Sequence, residues 1–231
     1  MKAIALATLL VVAASAVVVQ AGSWTPPAFC NNLNCPKFVK RCDIKAGNSS
    51  LAPTIEIRSY PPQQWASCLK RGPSATTYES AIHECFQHLF NYISGSNAGS
   101  QKIPMSAPVG TSIVAGAGPN CDSNITVSFY MDWAIQGKAP LPTSSNVFLS
   151  TWPAVPSTWA VLSFGGWDSS WSLEVQPNLQ VLAAAVTDLN ISVVKGMEWV
   201  AGYDSPFQFF DRHNEVAFQV SDLSTLPAGC V

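Results

Sequence analysis

Between Thr76 and Gly110 the chain reads TTYESAIHECFQHLFNYISGSNAGSQKIPMSAPVG, and this stretch constrains the fold more than any other. Thr76, followed three residues later by Glu79, has the spacing of a capping box and predicts a helix start. Ile82, Phe86, Leu89 and Ile93 recur at helical spacing with Phe90 flanking them, so the helix carries one apolar stripe. Gly95 supplies the left-handed residue that ends it. The following segment, Lys102 to Val109, is of another kind. Pro104 and Pro108 exclude a helix and remove two ladder donors, which leaves an extended edge segment or a loop. A greasy helix followed by a stiff apolar segment of low charge predicts one wall of a cleft.

The rest of the chain supplies strands around this unit. Thr54 to Tyr60 alternates Ile55, Ile57 and Ser59 against Glu56 and Arg58, the pattern of a half-buried strand. Pro61-Pro62 turns it, and Trp65 to Leu69 returns. Beyond a loop at Gly116 to Ser123, strands are expected at Ile125 to Met131, Val147 to Thr151 and Thr158 to Phe164. A second helix is expected over Ser172 to Leu189, with Pro177 either inside its first turn or marking its true start. Glu198 to Tyr203 and Glu215 to Val220 complete the set. The order strand-strand-helix-strand-strand thus occurs twice, which predicts a duplicated unit closing into one α+β domain over residues 53–231. Residues 22–52, rich in Cys, Asn and Pro, read as a lead-in of little periodicity that wraps the domain, stapled by Cys30, Cys35 and Cys42.

Of the 231 residues 48% are hydrophobic and 11% charged, enough for a sizeable core. A net charge of −2 gives no electrostatic case for nucleic acid. Met1-Lys2 precede an apolar run from Ala3 to Val19, and Val19-Gln20-Ala21 has the small residues of a cleavage site, so residues 1–21 read as a secretory signal peptide. An uncleaved anchor is the competing reading, since the run reaches the lower edge of a membrane span. No later stretch is long and apolar enough for a span. Seven cysteines in an oxidising compartment imply disulfides with one left over. Cys85 is either a buried free thiol or the partner of Cys68, and Cys30, Cys35 and Cys42 lack a fourth zinc ligand at finger spacing. Asn48, Asn124 and Asn190 head N-glycosylation sequons, Asn124 being usable only at an exposed edge.

YISGSN followed by KIPMSAPVG resembles the signature of the SOUL heme-binding protein family, Y-[IV]-x-G-x-N…K-I-x-M-[TS]-x-P-V. IEIRSYPPQQWAS from Ile55, NITVSFYM from Asn124 and AGYDSPFQFFDRHNEVAF from Ala201 are similar to three further blocks of that family, in the same order. The resemblance covers roughly Ile55 to Val220. It implies a distorted antiparallel β-barrel flanked by two α-helices, with heme or a related tetrapyrrole, a small planar hydrophobic ligand, bound between the first helix and the sheet; with the leader and the cysteines, the expectation is a secreted carrier. One branch of the family is proposed to ligate iron through a histidine of the first strand, where this chain has Ser59.

The candidate binding residues follow from both readings. His83 falls at the edge of the apolar stripe, where its imidazole could be an axial ligand of heme iron or only an interfacial polar residue. Phe86 and Phe90 would pack on the macrocycle, and Met105 is an alternative iron ligand. Lys102 is the preferred partner for the propionates, with Arg58, Arg71 and Arg212 as other candidates. Arg58 is equally explained by pairing with Glu56 or Glu215. His88 falls on the polar side of the helix, and His213 reads as a strand-end surface residue. Trp65, Trp152, Trp159, Trp167 and Trp171 read as packing, or else as an aromatic wall. No enzyme motif is found: there is no G-x-S-x-G elbow, no H-E-x-x-H helix and no phosphate loop. The alternatives to tetrapyrrole carriage are a protein-interaction module, with an oligomer allowed, and a hydrolase of small lipophilic substrates using Glu198, Asp204 or Glu215.

Overall fold

A computed structural model describes residues 24–116 and 122–231. The leader expected at 1–21 and the loop cysteine Cys121 lie outside the described residues. The elements are β1 (Val39–Lys45), β2 (Thr54–Tyr60), β3 (Gln63–Gly72), α1 (Ser74–Ile93), β4 (Val109–Val114), β5 (Ser123–Tyr130), β6 (Phe148–Trp152), β7 (Ser157–Phe164), α2 (Gln176–Asp188), β8 (Met197–Gly202) and β9 (Asn214–Gln219).

The nine strands form one antiparallel sheet in the order β1-β2-β7-β9-β8-β4-β5-β3-β6. Its duplication can be read from this order alone. Exchanging β2 with β6, β3 with β7, β4 with β8 and β5 with β9 turns the order from β2 to β6 into its own reverse. A pseudo-two-fold therefore passes between the central strands β4 and β8, and the first strand of each half pairs with the other half. The helices obey the same operation, with α1 over β3 and β5 and α2 over β7 and β9. The edge strands β1 and β6 do not pair with each other, so the expected barrel is open and distorted.

Alternation within strands gives the sheet two faces. On the helix face, Ile55 and Ile57 of β2 meet Leu179, Leu182 and Val186 of α2, while Leu89 and Ile93 of α1 pack with Val127 and Phe129 of β5. The opposite face carries Trp65, Trp159, Trp199 and Tyr130, covered by Trp24, Phe29, Leu33 and Phe38 of the lead-in. Trp152 stacks on Trp199 with ring centroids 3.8 Å apart. Gly110 makes that stack fit, because a Cβ there would lie 2.2 Å from the Trp199 ring. The tryptophans at 65, 152 and 159 are thus core packing.

Several local expectations change. The helix starts at Ser74, ahead of the proposed capping box, because Pro73 presets the entry; Thr76 then lies in the first turn and its hydroxyl donates to the Pro73 carbonyl at 3.3 Å. The lead-in does more than wrap the domain, since Val39–Lys45 pairs with β2 as an edge strand. Pro177 is the second residue of α2, preceded by a wide turn at Trp171–Val175. Gly95 takes φ +120 past the end of α1, as the sequence predicts. Three disulfides are formed: Cys30–Cys35, Cys42–Cys230 and Cys68–Cys85. The third ties β3 to α1 and decides between the two readings of Cys85.

Candidate functional site

The apolar band of α1 is wider than the sheet needs. Cys85, Leu89 and Ile93 face the strands and are buried, while Ile82 and Phe86 are only partly covered. Glu79, Ile82, His83 and Phe86, three or four residues apart, share one side of the helix and form a wall of a cleft of about 670 Å³. Val109 and Gly202, paired across the central strands, lie at its base. The opposite wall comes from two connections, Trp167 to Ser170 before α2 and Asp204 to Arg212 between β8 and β9. The volume lies in the range of small-molecule sites, and Ile82, Phe86 and Val109 give it an apolar interior.

Its polar groups are tied down unequally. The Arg212 guanidinium donates from Nε to the Gly166 carbonyl at 3.0 Å and from Nη1 to the carbonyls of Ser205 and Gln208, both at 2.8 Å. It also lies 4.0 Å over the Trp167 ring, so this cation clasps two loops together. Asp204 accepts from Asn31 Nδ2 at 2.7 Å and from the His213 amide. Asp168 is different. Its carboxylate rests on the bare Cα of Gly202, where a Cβ would lie 2.1 Å from Oδ2. Burial pushes the Asp168 carboxyl above the usual range, and the Tyr78 hydroxyl, at 2.9 Å, holds the Asp168 carbonyl, not its side chain.

Of the residues singled out from sequence, the cleft brings together His83, Phe86 and Arg212. Phe90 stacks on Phe86 at 6.0 Å from an exposed position beside the wall. Met105 packs behind α1 with Phe86 and Phe129, Lys102 is exposed after the helix, and Arg71 is exposed at the end of β3. None of these three lines the cleft. Arg58 sits on the far face of the sheet with its side chain fully buried, 2.9 Å from Glu215 and 2.8 Å from Glu56. Burial penalises this guanidinium, but Glu215 leads the neighbours that outweigh the penalty and hold its pKa above the ordinary arginine value. His213 is not a surface residue: it stacks on Phe29 at 4.1 Å and places Nε2 2.8 Å from Glu215 Oε1. Ser59 accepts from Arg41 Nε and bonds the Thr158 hydroxyl, both at 3.0 Å. The carboxylates considered for hydrolysis do not converge, because Glu198 alternates with Val200 toward the helix face and Glu215 pairs with Ala201 on the other. Of the two alternatives for Trp167, packing or aromatic wall, the cleft lining fits the second. Sequence reasoning missed Asp168 and Gly202; a Gly-Gly-Trp-Asp turn marks a loop but not its destination.

The comparisons with known proteins agree with this fold. Residues 35–219 match the model of the SOUL heme-binding protein family. The chain is 35% identical to heme-binding protein 2 of Mus musculus over 164 residues, covering 71% of this chain and 76% of that protein. It is 34% identical to heme-binding protein 2 of Homo sapiens, with the same coverage. Among solved structures, the C-terminal domain of EcmrR superposes with a TM-score of 0.53 at 13% identity, covering 73% of this chain and 98% of that one, a likeness of fold alone. From the four ordered sequence blocks, the two-fold sheet and these matches, the chain belongs to the SOUL heme-binding protein family.

Proposed function

We propose that this protein carries heme or a related tetrapyrrole outside the cell, bound in the cleft between α1 and the β8–β9 connection. The observation that carries the reading is an apolar-walled cleft of about 670 Å³ with an imidazole on its wall. Ile82, Phe86 and Val109 would cover a macrocycle face, and Trp167 would stand opposite. His83 is exposed and makes no hydrogen bond among the described residues, so its nitrogen is free to meet iron. Bound heme would supply an iron centre able to take axial ligands and change redox state. Three disulfides support an extracellular setting, and no helix among the described residues is long and apolar enough to cross a membrane. The test is a hemin titration read by Soret absorbance and tryptophan quenching. A saturable change is expected, lost in Phe86→Asp, with the Soret shift reduced in His83→Ala. No saturable change at micromolar hemin, or full binding by Phe86→Asp, would refute the site.

A protein-interaction role is the second reading. Phe207, Phe209 and Phe210 are 84%, 68% and 83% exposed in the β8–β9 connection beside the cleft, an apolar group that among the described residues meets only the Trp167 ring, through Phe209. On that reading Phe207→Ser with Phe210→Ser leaves hemin affinity unchanged, and a loss of hemin binding in that variant counts against it.

A further inference from the structure

We infer that the cleft disfavours carboxylates on its inner side: its ligand is a flat apolar molecule that turns an uncharged or cationic edge inward and leaves any acid group in solvent. The inference rests on the cleft being the ligand site and goes on to the chemistry of what enters. Three carboxylates, from Glu79, Asp168 and Asp204, line the cleft against one guanidinium, from Arg212. That guanidinium is largely committed, with Nε and Nη1 donating to the carbonyls of Gly166, Ser205 and Gln208 and only Nη2, 3.5 Å from the Asp204 carbonyl, loosely held. The other cations that sequence suggested as propionate partners are elsewhere: Arg58 is sealed on the far face, while Lys102 and Arg71 do not line the cleft.

Asp204 is occupied by Asn31 and the His213 amide. Among the described residues the carboxylates of Glu79 and Asp168 have no side-chain hydrogen-bond partner, and Asp168 is seated on Gly202 where any larger residue would displace it. Two groups therefore present negative charge to an entering ligand, offset only in part by the Arg212 guanidinium acting on Asp168. A carboxylate pushed between these walls meets like charge in a partly desolvated space, and a cation meets the reverse. A dicarboxylic tetrapyrrole can still bind if both acid groups stay in solvent, but it gains nothing from the wall.

The experiment titrates the oxidised, full mature chain with three probes: metal-free protoporphyrin IX, its dimethyl ester, and acridine orange as a planar cation. Tryptophan quenching and probe fluorescence are read at low salt. The expected result is that the ester and the cation bind at least about tenfold tighter than the diacid, a difference that a like-charge contact in a half-buried site can supply. Asp168→Asn and Glu79→Gln should each narrow that gap, with folding checked by circular dichroism; Glu79 is exposed, so its variant keeps the test open if Asp168→Asn fails to fold. Equal or tighter binding of the diacid would overturn the inference and leave the cleft as a tetrapyrrole site. A preference that neither variant changes would overturn it too. If no probe binds, or if Phe86→Asp leaves all three affinities untouched, the cleft itself is the wrong site and the inference falls with it.

Discussion

The ion pair between Arg58 and Glu215 makes a demanding prediction about stability. Arg58 Nη2 lies 2.9 Å from Glu215 Oε1 without hydrogen-bond alignment, and the two side chains are 0% and 3% exposed. Glu215 Oε2 accepts from the Tyr203 hydroxyl at 2.9 Å, and Oε1 also meets His213. The change to make is Glu215→Gln, which keeps the volume and removes the charge. Breaking one side of a buried pair costs about 3–5 kcal/mol, because the remaining ion has lost its compensation in a medium that solvates it poorly. Here Glu56 remains 2.8 Å from Arg58 but is partly exposed, so the loss should fall at the lower end, about 3 kcal/mol. For a domain of this size that is about 6–12 °C in Tm.

Thermal and urea unfolding at pH 7 with disulfides intact, followed by circular dichroism and tryptophan fluorescence, would measure this loss. The double variant Arg58→Met with Glu215→Leu removes both charges and should lie closer to wild type than Glu215→Gln does. The pH dependence has a definite sign. Burial raises the Glu215 carboxyl, but Arg58 and His213 outweigh it and hold the group below its ordinary value of 4.5. A depressed carboxylate stabilises the fold above its unfolded value and stops doing so as the pH drops through its folded one. Wild type and Glu215→Gln should therefore converge as the pH falls below 4.5 and through the depressed folded value. A loss under about 1 kcal/mol at pH 7, or a double variant weaker than the single, would refute the claim that this carboxylate compensates Arg58.

Three further outcomes follow from the packing. Cys42 and Cys230 close a loop spanning 188 residues, so replacing both by serine should cost up to about 5 kcal/mol in the chain-entropy account; an unchanged melting curve would show that β1 and the C-terminus are held by packing alone. Gly110→Ala drives a Cβ into the Trp199 ring and should cost about 1–3 kcal/mol or more and alter the near-ultraviolet signal of the Trp152–Trp199 stack, which an unaltered spectrum would contradict. Asp168 has the opposite sign to Glu215: burial raises its pKa, so its charge opposes folding above that pKa and the penalty fades as pH falls. Asp168→Asn should accordingly melt higher than wild type at pH 7, with the gain shrinking toward pH 4, and a lower melting point at pH 7 would contradict that assignment.

The scaffold was legible because each half repeats the same periodicities. Alternation in Thr54–Tyr60 and the stripe from Ile82 to Ile93 depend only on which side of an element is buried, and local spacing records that. Wall residues on the helix were legible for the same reason. The opposite wall was legible only as scattered candidates, Trp167 for an aromatic wall and Arg212 for a cation, without Asp168 or the place where they meet. Trp167, Asp168 and Arg212 come from two connections whose paths are set by tertiary contacts, including the Arg212 bonds to the carbonyls of Gly166, Ser205 and Gln208. Arg58 was open to two readings, a propionate partner or a pairing with Glu56 or Glu215, and the structure shows the pairing. Nothing in the low periodicity of residues 22–52 announces that Phe29 and Phe38 lie 5.5 and 4.5 Å from its guanidinium.

That covering explains where a ligand can go. A sheet with two apolar faces offers two places for a flat guest, and this chain fills one with itself. On the far face, Phe29, Phe38 and the disulfide-closed turn at Cys30–Cys35 lie over Arg58, Glu215 and the tryptophans, leaving a space of about 10 Å³, too small for any organic ligand. On the helix face the two-fold is broken by how the helices are used. Leu179, Leu182, Ala185 and Val186 commit α2 to the core, whereas α1 keeps Ile82 and Phe86 partly uncovered at the Val109–Gly202 end of the central pair. The duplicated scaffold thus opens a cleft of ligand size beside α1 and, among the described residues, packs α2 onto the core instead, and the half-buried aromatic ring of Phe86 marks the opening.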